Sequence, residues 1–423
     1  MTARLPLQRP FNRLAGTAIS PMLNPSSPTI DPVSGRAPTL ALFCKVVDNF
    51  GDIGICWRLS RQLQSEHGID TTLWVDDLAS FRRICPAVDT AAAVQQVAGV
   101  TVRHWAGQEG VFTTADIADT VVEFFAVDIP PGYIAAMAQC TPRPVWLNLE
   151  GMSAEEWVEG CHTLPSTHPR LPLVKHFFFP GFTAKTGGLL RESGLDDSRR
   201  RFQAEPAATA QFLADLGVTE RERDALTVSL FCYPHAPVAS LFAAWSAGPD
   251  AVTCLVPEGV AADAVKAFLG AAAVPGAART QGALTVRVIP FLPQQDYDKL
   301  LWSCDVNLVR GEDSIVRAQW AGRPFVWHIY PQDENLHHVK LRAFLQRFSP
   351  QLAAANAFNL RWNDAIDAQG DWGDSWRQYF STLDISGERT EQWQREMATH
   401  GDLASNLLRF AEAVRTSNRS AHQ

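Results

Sequence analysis

The sequence lacks the features that mark membrane-spanning, metal-binding and nucleic-acid-binding proteins. It has no run of about 18 apolar residues, so no segment is predicted to span a membrane. Its net charge of -8 argues against general binding to nucleic acid or to anionic membranes. Its eight cysteines include no Cys-x-x-Cys pair and no metal-ligand spacing, and several lie inside apolar runs, as reduced, buried thiols do. We therefore expect a cytoplasmic protein that binds no metal, nucleic acid or membrane.

The first 38 residues differ in composition from the rest of the chain. They are rich in proline, serine, threonine and arginine, contain one acidic residue, Asp31, and show no apolar periodicity. Such a segment buries too little apolar surface to offset the entropy of ordering. We predict a disordered N-terminal extension over residues 1–38 and assign it no function.

Short apolar runs alternate with helical patterns in two successive series after this extension. The alternation predicts an α/β protein with two Rossmann-like domains and a cleft between them. The first domain, with a connecting region, is expected to cover residues 39–222, and the second residues 223–397. A C-terminal helix at about 398–423 is expected to pack back on the first domain. The proline- and histidine-rich segment 151–184 is interpreted as a long loop between the domains.

An acidic turn follows the first apolar run of the first series. The run at 40–47 predicts a buried strand, and a helical pattern begins again near Ile55. Between them lie Asp48, Gly51 and Asp52, where a dinucleotide site would have more glycine and no acid. Two carboxylates at a strand end suit a cationic substrate or a proton to be removed, and they repel phosphate. Alternatively, Asp48 forms an ordinary turn and Asp52 caps the helix.

A second motif, at 310–314, follows a strand of the second series and opens a helix. Free backbone N–H groups at a helix start form an anion site, and Arg310 adds a cation for phosphate oxygens. Glu312 could accept hydrogen bonds from sugar hydroxyls, and either Asp313 or Ser314 could cap the helix. The alternative is a capped surface helix without a ligand. Aromatic side chains nearby in the same half could stack on a nucleobase or belong to the core.

Five segments of the chain form a specific set of motifs. They are Phe-Cys-Lys-Val-Val-Asp-Asn-Phe-Gly-Asp-Ile-Gly from Phe43, Trp-Val-Asp-Asp-Leu from Trp74, Phe-Phe-Phe-Pro-Gly-Phe from Phe177, Leu-Phe-Cys-Tyr from Leu230, and Arg-Gly-Glu-Asp-Ser-x-Val-Arg-Ala-Gln-Trp-Ala-Gly from Arg310. These segments closely resemble the bacterial protein-arginine rhamnosyltransferases, which are GT-B glycosyltransferases that modify one arginine of translation elongation factor P. The resemblance runs in order from about residue 41 to the C-terminal region.

The resemblance implies a GT-B fold, with two Rossmann-like domains facing each other across a cleft. It implies inverting transfer of L-rhamnose from dTDP-β-L-rhamnose to an arginine guanidinium of elongation factor P, with no metal and no cofactor. In this reading Asp52 is the general base and Asp48 orients the guanidinium, while Asn49, Phe50 and Gly51 shape the turn. The implied donor-site residues are Tyr233, Phe291, Gln294, Tyr297, Arg310, Gly311, Glu312, Asp313 and Ser314.

Two other functions stay open from the sequence. A GT-B-fold epimerase that acts on a free nucleotide sugar would also have two Rossmann-like halves, but it would not need an acidic turn that accepts a cation. A scaffold without catalytic activity that binds a translation factor would need neither of the two motifs. Transfer of a deoxyhexose to an arginine-bearing partner would distinguish all three.

Overall fold

A computed structural model describes residues 36–48, 50–366 and 371–420. Most of the predicted disordered extension, and Asn49, lie outside these residues. Eight strands of the first half form one sheet: β1 Thr39–Cys44, β2 Asp70–Val75, β3 Val94–Val97, β4 Val100–His104, β5 Thr120–Phe124, β6 Val145–Leu149, β7 Pro165–Thr167 and β8 Val174–Phe178. The helices of this half are α1 Gly51–His67, α2 Leu78–Ile84, α3 Pro131–Gln139 and α4 Trp157–Cys161.

Three helices link this sheet to the second: α5 Leu195–Ala204, α6 Pro206–Asp215 and α7 Glu220–Arg223. The second sheet has six strands: β9 Leu226–Leu230, β10 Val252–Pro257, β11 Ala278–Gln281, β12 Leu284–Ile289, β13 Val306–Arg310 and β14 Phe325–His328. The helices that follow β9 in the chain are α8 Val238–Ala247, α9 Ala262–Leu269, α10 Gln294–Ser303, α11 Gly311–Trp320, α12 Leu336–Phe348, α13 Ala353–Trp362, α14 Trp372–Phe380, α15 Leu383–Ala398 and α16 Leu403–Ser420.

Both sheets have the strand order of a doubly wound fold. The parallel strands of the first sheet run β4-β2-β1-β5-β6-β8, and those of the second run β12-β10-β9-β13-β14. In each sheet the first strand therefore lies in the middle, and the strand order reverses beside it. Ligands of such sheets bind outside the carboxyl ends of the strands at this reversal. The two motifs follow β1 and β13, which lie at the reversal of their own sheets.

The burial of β1 and α1 explains why the sequence folds in this way around the first motif. Leu40 to Cys44 are all buried, as expected for a central parallel strand that is covered on both faces. In α1, Ile53, Cys56, Leu59 and Leu63 are inaccessible and recur at three- and four-residue spacing along one face. The pattern anchors the helix to the sheet, so the turn between β1 and α1 is held at both ends.

The interpretation of residues 151–184 as a long loop was wrong. The segment contains α4 and the hairpin of β7 with β8, and β8 pairs in parallel with β6 as part of the first sheet. Its strand pattern is weak because β8 lies near the sheet edge and only Phe178 is fully buried in it.

The connecting and C-terminal helices join the two halves. The helices α5 and α6 pack against α10 of the second half, whereas α15 packs on α11 and α16 lies against α1 and β6 of the first half. A backbone hydrogen bond from Leu403 to the carbonyl of Leu189, 3.0 Å long, fixes the start of α16. Among the helices of the described residues, none has the length and apolar character needed to cross a bilayer.

Candidate active site

The turn after β1 is folded around Asp52. One carboxylate oxygen, Oδ2, accepts hydrogen bonds from the backbone N–H groups of Val47, at 2.7 Å, and Asp48, at 2.8 Å. Asp52 is not the N-cap of α1, because Phe50 occupies that position and makes no side-chain capping bond. The second oxygen, Oδ1, accepts no hydrogen bond from the residues that the structure describes. Asp52 therefore has one oxygen that fixes the turn and one that is available to a proton.

Burial raises the pKa values of both turn carboxylates. The pKa of Asp52 is raised mainly by desolvation and further by the charges of Glu312 and Asp76, against the lowering effect of its two backbone hydrogen bonds. Desolvation raises the pKa of Asp48 to about 6, although the Tyr233 hydroxyl and Arg310 oppose the shift. A raised carboxylate pKa brings a general base closer to neutral pH, where proton transfer is most effective.

Asp48 reaches across the cleft to the second half. Its Oδ2 accepts a hydrogen bond of 2.6 Å from the Tyr233 hydroxyl, whereas its Oδ1 is buried without a partner among the described residues. Gly311, the first residue of α11, allows this close approach. A Cβ at Gly311 would lie 2.7 Å from Asp48 Oδ2, and the residue has a φ of +64°, which favours glycine.

Arg310 is held among aromatic rings at the end of β13. Its guanidinium carbon lies 4.7 Å from the ring centroids of both Phe231 and Tyr233 and 6.0 Å from that of Phe50. One nitrogen donates to the carbonyl of Cys232 at 3.4 Å. Because this single bond uses little of the guanidinium's donor capacity, Arg310 can still donate to an anion in the cleft.

A pocket between the two halves brings most of the predicted residues together. Its empty space, counted together with its open mouth, is about 520 Å³. Two buried polar atoms of its lining have no hydrogen-bond partner among the described residues: Asp48 Oδ1 and Gln294 Oε1. Buried polar atoms are normally paired, so these two suit a polar ligand. The predicted residues in the lining are Asp48, Phe50, Gly51, Phe291, Gln294, Tyr297, Arg310, Asp313 and Ser314.

The start of α11 differs from the predicted capped helix. Arg310 is its N-cap and makes no side-chain capping bond, so the expectation that Asp313 or Ser314 caps the helix was wrong. The first-turn N–H groups of a helix have no partner within the helix, and here no side chain of the described residues takes that place. Ser314 is 7% exposed and lines the pocket beside this helix start. A helix terminus with free N–H groups and an adjacent hydroxyl suits an anion.

Asp313 belongs to a buried charge network that joins the halves. Arg58 of α1 donates to Asp313 Oδ1 at 2.9 Å and to both oxygens of Asp298 at 2.9 and 3.0 Å. Arg317 donates to Asp298 at 2.7 and 3.0 Å and to Glu192 at 2.6 Å. The pKa of Asp313 is raised, mainly by burial, against the effect of the two arginines. Asp313 thus positions the helix start against α1.

Gln294 and Glu312 also bind groups of the first half. Gln294 Nε2 donates to the carbonyl of Gly54 at 2.8 Å. Glu312 accepts from Lys340 at 2.7 Å and from the backbone N–H of Met152 at 3.0 Å, so both of its carboxylate oxygens are already engaged. These contacts fix the geometry of the cleft in addition to any contact with a ligand.

Several residues of the site were missed by sequence reasoning. Phe231 lines the pocket, and its place at the end of β9, next to the strand-order reversal, could have identified it. Ile84 and Arg58 lie on helices of the first half and carry no local signal, because their roles depend on how the two halves meet. Asn49, which was expected to shape the turn, lies outside the described residues.

Comparison with known proteins decides the family. A family model described as "Elongation-Factor P (EF-P) rhamnosyltransferase EarP" matches residues 40–412. The chain belongs to this family. It is a glycosyltransferase, as the resemblance of its motifs implied. A protein-arginine rhamnosyltransferase of Pseudomonas putida is 46% identical to this family member over 88% of this chain and 98% of its own length. One of Pseudomonas aeruginosa is 45% identical over 87% of this chain and 97% of its own length.

A solved structure of the same family supports the fold. It is described as the structural basis for EarP-mediated arginine glycosylation of translation elongation factor EF-P, and it is 33% identical to this chain, with a TM-score of 0.60. The match covers 89% of this chain and 99% of that chain. Together with the two parallel sheets, it confirms the predicted GT-B fold for this rhamnosyltransferase family member. Among the described residues, no group of three or more His, Cys, Asp or Glu side chains is arranged to hold a metal ion.

Proposed function

We propose that this protein transfers L-rhamnose from dTDP-β-L-rhamnose to an arginine guanidinium of elongation factor P, with inversion at the sugar carbon. The observation that carries the proposal is the meeting of an acidic turn with a cationic helix start across one pocket. Asp48 lines one side of the pocket, in the turn that the buried Asp52 holds by two backbone hydrogen bonds, and Arg310 with the N-terminus of α11 lies on the other side. The carboxylates suit a cationic acceptor, and the helix start suits a diphosphate.

The acceptor presents the main chemical difficulty. A guanidinium has a pKa above 12 and is a poor nucleophile while it is protonated, so proton loss must accompany attack. We assign the proton to Asp52 Oδ1, the oxygen that the turn leaves unused. Asp48 binds and orients the guanidinium, and the Tyr233 hydroxyl fixes the direction of the Asp48 carboxylate.

Transfer then proceeds as one displacement. An arginine nitrogen attacks C1 of rhamnose and forms the C–N bond as the bond from C1 to the diphosphate oxygen breaks. The nitrogen's proton passes to Asp52, and the electron pair of the broken bond leaves with dTDP. Attack on the face opposite the diphosphate turns the β-linked donor into an α-linked product.

The second half stabilises the negative charge of the leaving diphosphate. Arg310, the Ser314 hydroxyl and the free N–H groups of α11 can each donate to phosphate oxygens, and they are fixed before the reaction begins. In other transferases a metal ion stabilises the negative charge of the leaving diphosphate. Here these donors can do so, and we propose that the reaction requires neither a metal nor a cofactor. Phe291, Gln294 and Tyr297 are proposed to bind the nucleoside and the sugar.

The names of the family and of the relatives are the basis for the proposed acceptor protein. The family is named for modification of elongation factor P, and the two Pseudomonas relatives are named protein-arginine rhamnosyltransferases. Because elongation factor P acts in translation, we propose that the reaction takes place in the cytoplasm.

The intact mass of elongation factor P from the same organism tests this function. We expect incubation with this protein and dTDP-β-L-rhamnose, in the presence of EDTA, to add one deoxyhexose. A matched elongation factor P in which the modified arginine is replaced by lysine should gain nothing. Loss of transfer in EDTA alone would contradict metal independence. Consumption of the donor without a mass gain would instead favour an epimerase or a hydrolase.

A further inference from the structure

The short helix α2 of the first half places one residue in the lining of the proposed donor pocket and a second residue beside it. Asp77 caps the helix by accepting from the N–H groups of Ala79 and Ser80, at 2.9 and 3.0 Å. Ile84 at its end is buried and lines the pocket, and Arg83 lies beside it in the last turn. The helix is therefore fixed at both ends, and it holds Arg83 next to a residue that lines the pocket.

Arg83 covers an aromatic ring that belongs to the opposite half. Its guanidinium carbon lies 4.7 Å from the ring centroid of Phe291, which follows β12. Phe50 also contacts Phe291, with 4.7 Å between ring centroids, and lies 6.0 Å from the guanidinium carbon of Arg310. The Phe50 ring thus lies between Phe291, where we place the nucleobase, and Arg310, where we place the phosphates. These two ends of the pocket are separated by about the width of one ring.

The guanidinium of Arg83 is not engaged by other polar groups. The residue is exposed, and it makes no hydrogen bond or ion pair with the described part of the chain. By contrast, Arg58 of the same half is buried and bonded to two carboxylates. A planar guanidinium stacks on nucleobases as well as on aromatic rings, so Arg83 can exchange its contact with Phe291 for one with a base.

We propose that Arg83 and Phe291 form a two-sided slot for the nucleobase of the donor. The base stacks on the Phe291 ring, and the Arg83 guanidinium covers its other face. This inference rests on the proposed nucleotide-sugar donor and adds a donor-binding residue from the half that otherwise binds the acceptor. Nucleotide binding would then hold the two halves together around the sugar.

Three variants test the slot: Arg83→Ala, Arg83→Lys and, as a matched control, Arg82→Ala, the adjacent exposed arginine of the same helix turn. We expect Arg83→Ala to weaken the binding of both dTDP and thymidine by about 5- to 30-fold, measured by calorimetry and NMR titration. Lysine keeps the positive charge but lacks the planar guanidinium group, so Arg83→Lys should weaken thymidine binding nearly as much as Arg83→Ala does. Arg82→Ala should bind as the wild type does. The KM for the donor should rise with Arg83→Ala while kcat stays within about twofold.

Two results would overturn the slot alone. The first is unchanged binding of dTDP and thymidine by Arg83→Ala when the wild-type protein binds both. The second is weaker binding of dTDP by Arg83→Ala, with normal dTDP binding by Arg83→Lys and unchanged thymidine binding by both variants. This result would make Arg83 a phosphate ligand. Failure of the wild-type protein to bind dTDP would overturn the proposed donor as well, which separates the two failures.

Discussion

Replacing Asp48 with asparagine is expected to stabilise the protein while it removes the activity. The carboxylate is partly buried beside Asp52 and Glu312, and desolvation raises its pKa from 3.8 to about 6. Asparagine has the same shape without the charge, and its amide oxygen can still accept the hydrogen bond from the Tyr233 hydroxyl. The variant therefore removes the cost of burying the charge and keeps the contact across the cleft.

The size of the effect follows from the pKa shift. A shift from 3.8 to about 6 corresponds to ~3 kcal/mol, since each unit is ~1.4 kcal/mol, and solvent screening at this partly exposed site reduces it to ~1–2 kcal/mol. As the pH rises from about 4 to 6, the Asp48 carboxyl loses its proton in the unfolded state before it does so in the folded state. The wild-type protein therefore loses stability over this pH range and does not regain it at higher pH. The Asp48→Asn protein does not show this loss of stability, because asparagine has no proton to release. Its advantage should be full at pH 8 and roughly half as large at pH 5.

Urea unfolding at pH 5 and pH 8 measures this difference, with Asp384→Asn as a control at an exposed carboxylate of α15. Rhamnosyl transfer by Asp48→Asn should fall by at least ~100-fold, because an oriented guanidinium needs the opposite charge. An Asp48→Asn protein that is no more stable than the wild type at pH 8 would refute the reasoning. So would an advantage that is the same at both pH values, or one that Asp384→Asn shares.

Two further predictions concern the contact between the halves. A Cβ at Gly54 would lie 3.0 Å from Asp313 Oδ2 and 3.1 Å from Gln294 Nε2, so Gly54→Ala should raise the KM for the donor by about 3- to 10-fold. Gly160→Ala in α4, where a Cβ meets nothing within 4 Å, should leave KM unchanged, and equal KM values for both would contradict the prediction. Arg58→Met leaves the Asp313 carboxylate buried without its closest cation, so urea unfolding should show a loss of ~3–5 kcal/mol. Arg61→Met on the same helix is the control, and a loss below ~1 kcal/mol for Arg58→Met would refute the role of the network.

The fold could be predicted where one physical signal dominates. Central parallel strands such as β1 and β10 are buried on both faces, so they are continuous apolar runs in the sequence. The turns after β1 and β13 were located in the same way, because each interrupts such a run with charged residues and glycine. The strand β8 was missed because its edge position leaves most of its residues partly exposed and its neighbourhood is rich in proline.

The candidate site was predictable only in its separate parts. The acids at 48 and 52 and the motif at 310–314 lie in local patterns that predict a turn and a helix start. The pairing of Arg58 with Asp313, 255 residues apart, depends on how the halves dock, which no local pattern encodes. The same holds for the contact of Arg83 with Phe291. The turn bonds of Asp52 were also not expected, since the sequence suggested either a functional carboxylate or a helix cap at this position.

The most direct test of the account is the dTDP affinity of Asp52→Asn, measured by calorimetry beside its rate of rhamnosyl transfer. Asparagine can keep the two backbone hydrogen bonds of the turn through its amide oxygen, but it cannot take a proton. We therefore predict that the variant binds dTDP within a few-fold of the wild type and loses nearly all turnover. Substantial residual transfer would remove Asp52 as the base. Affinity that falls as far as turnover would show that Asp52 supports donor binding rather than proton removal.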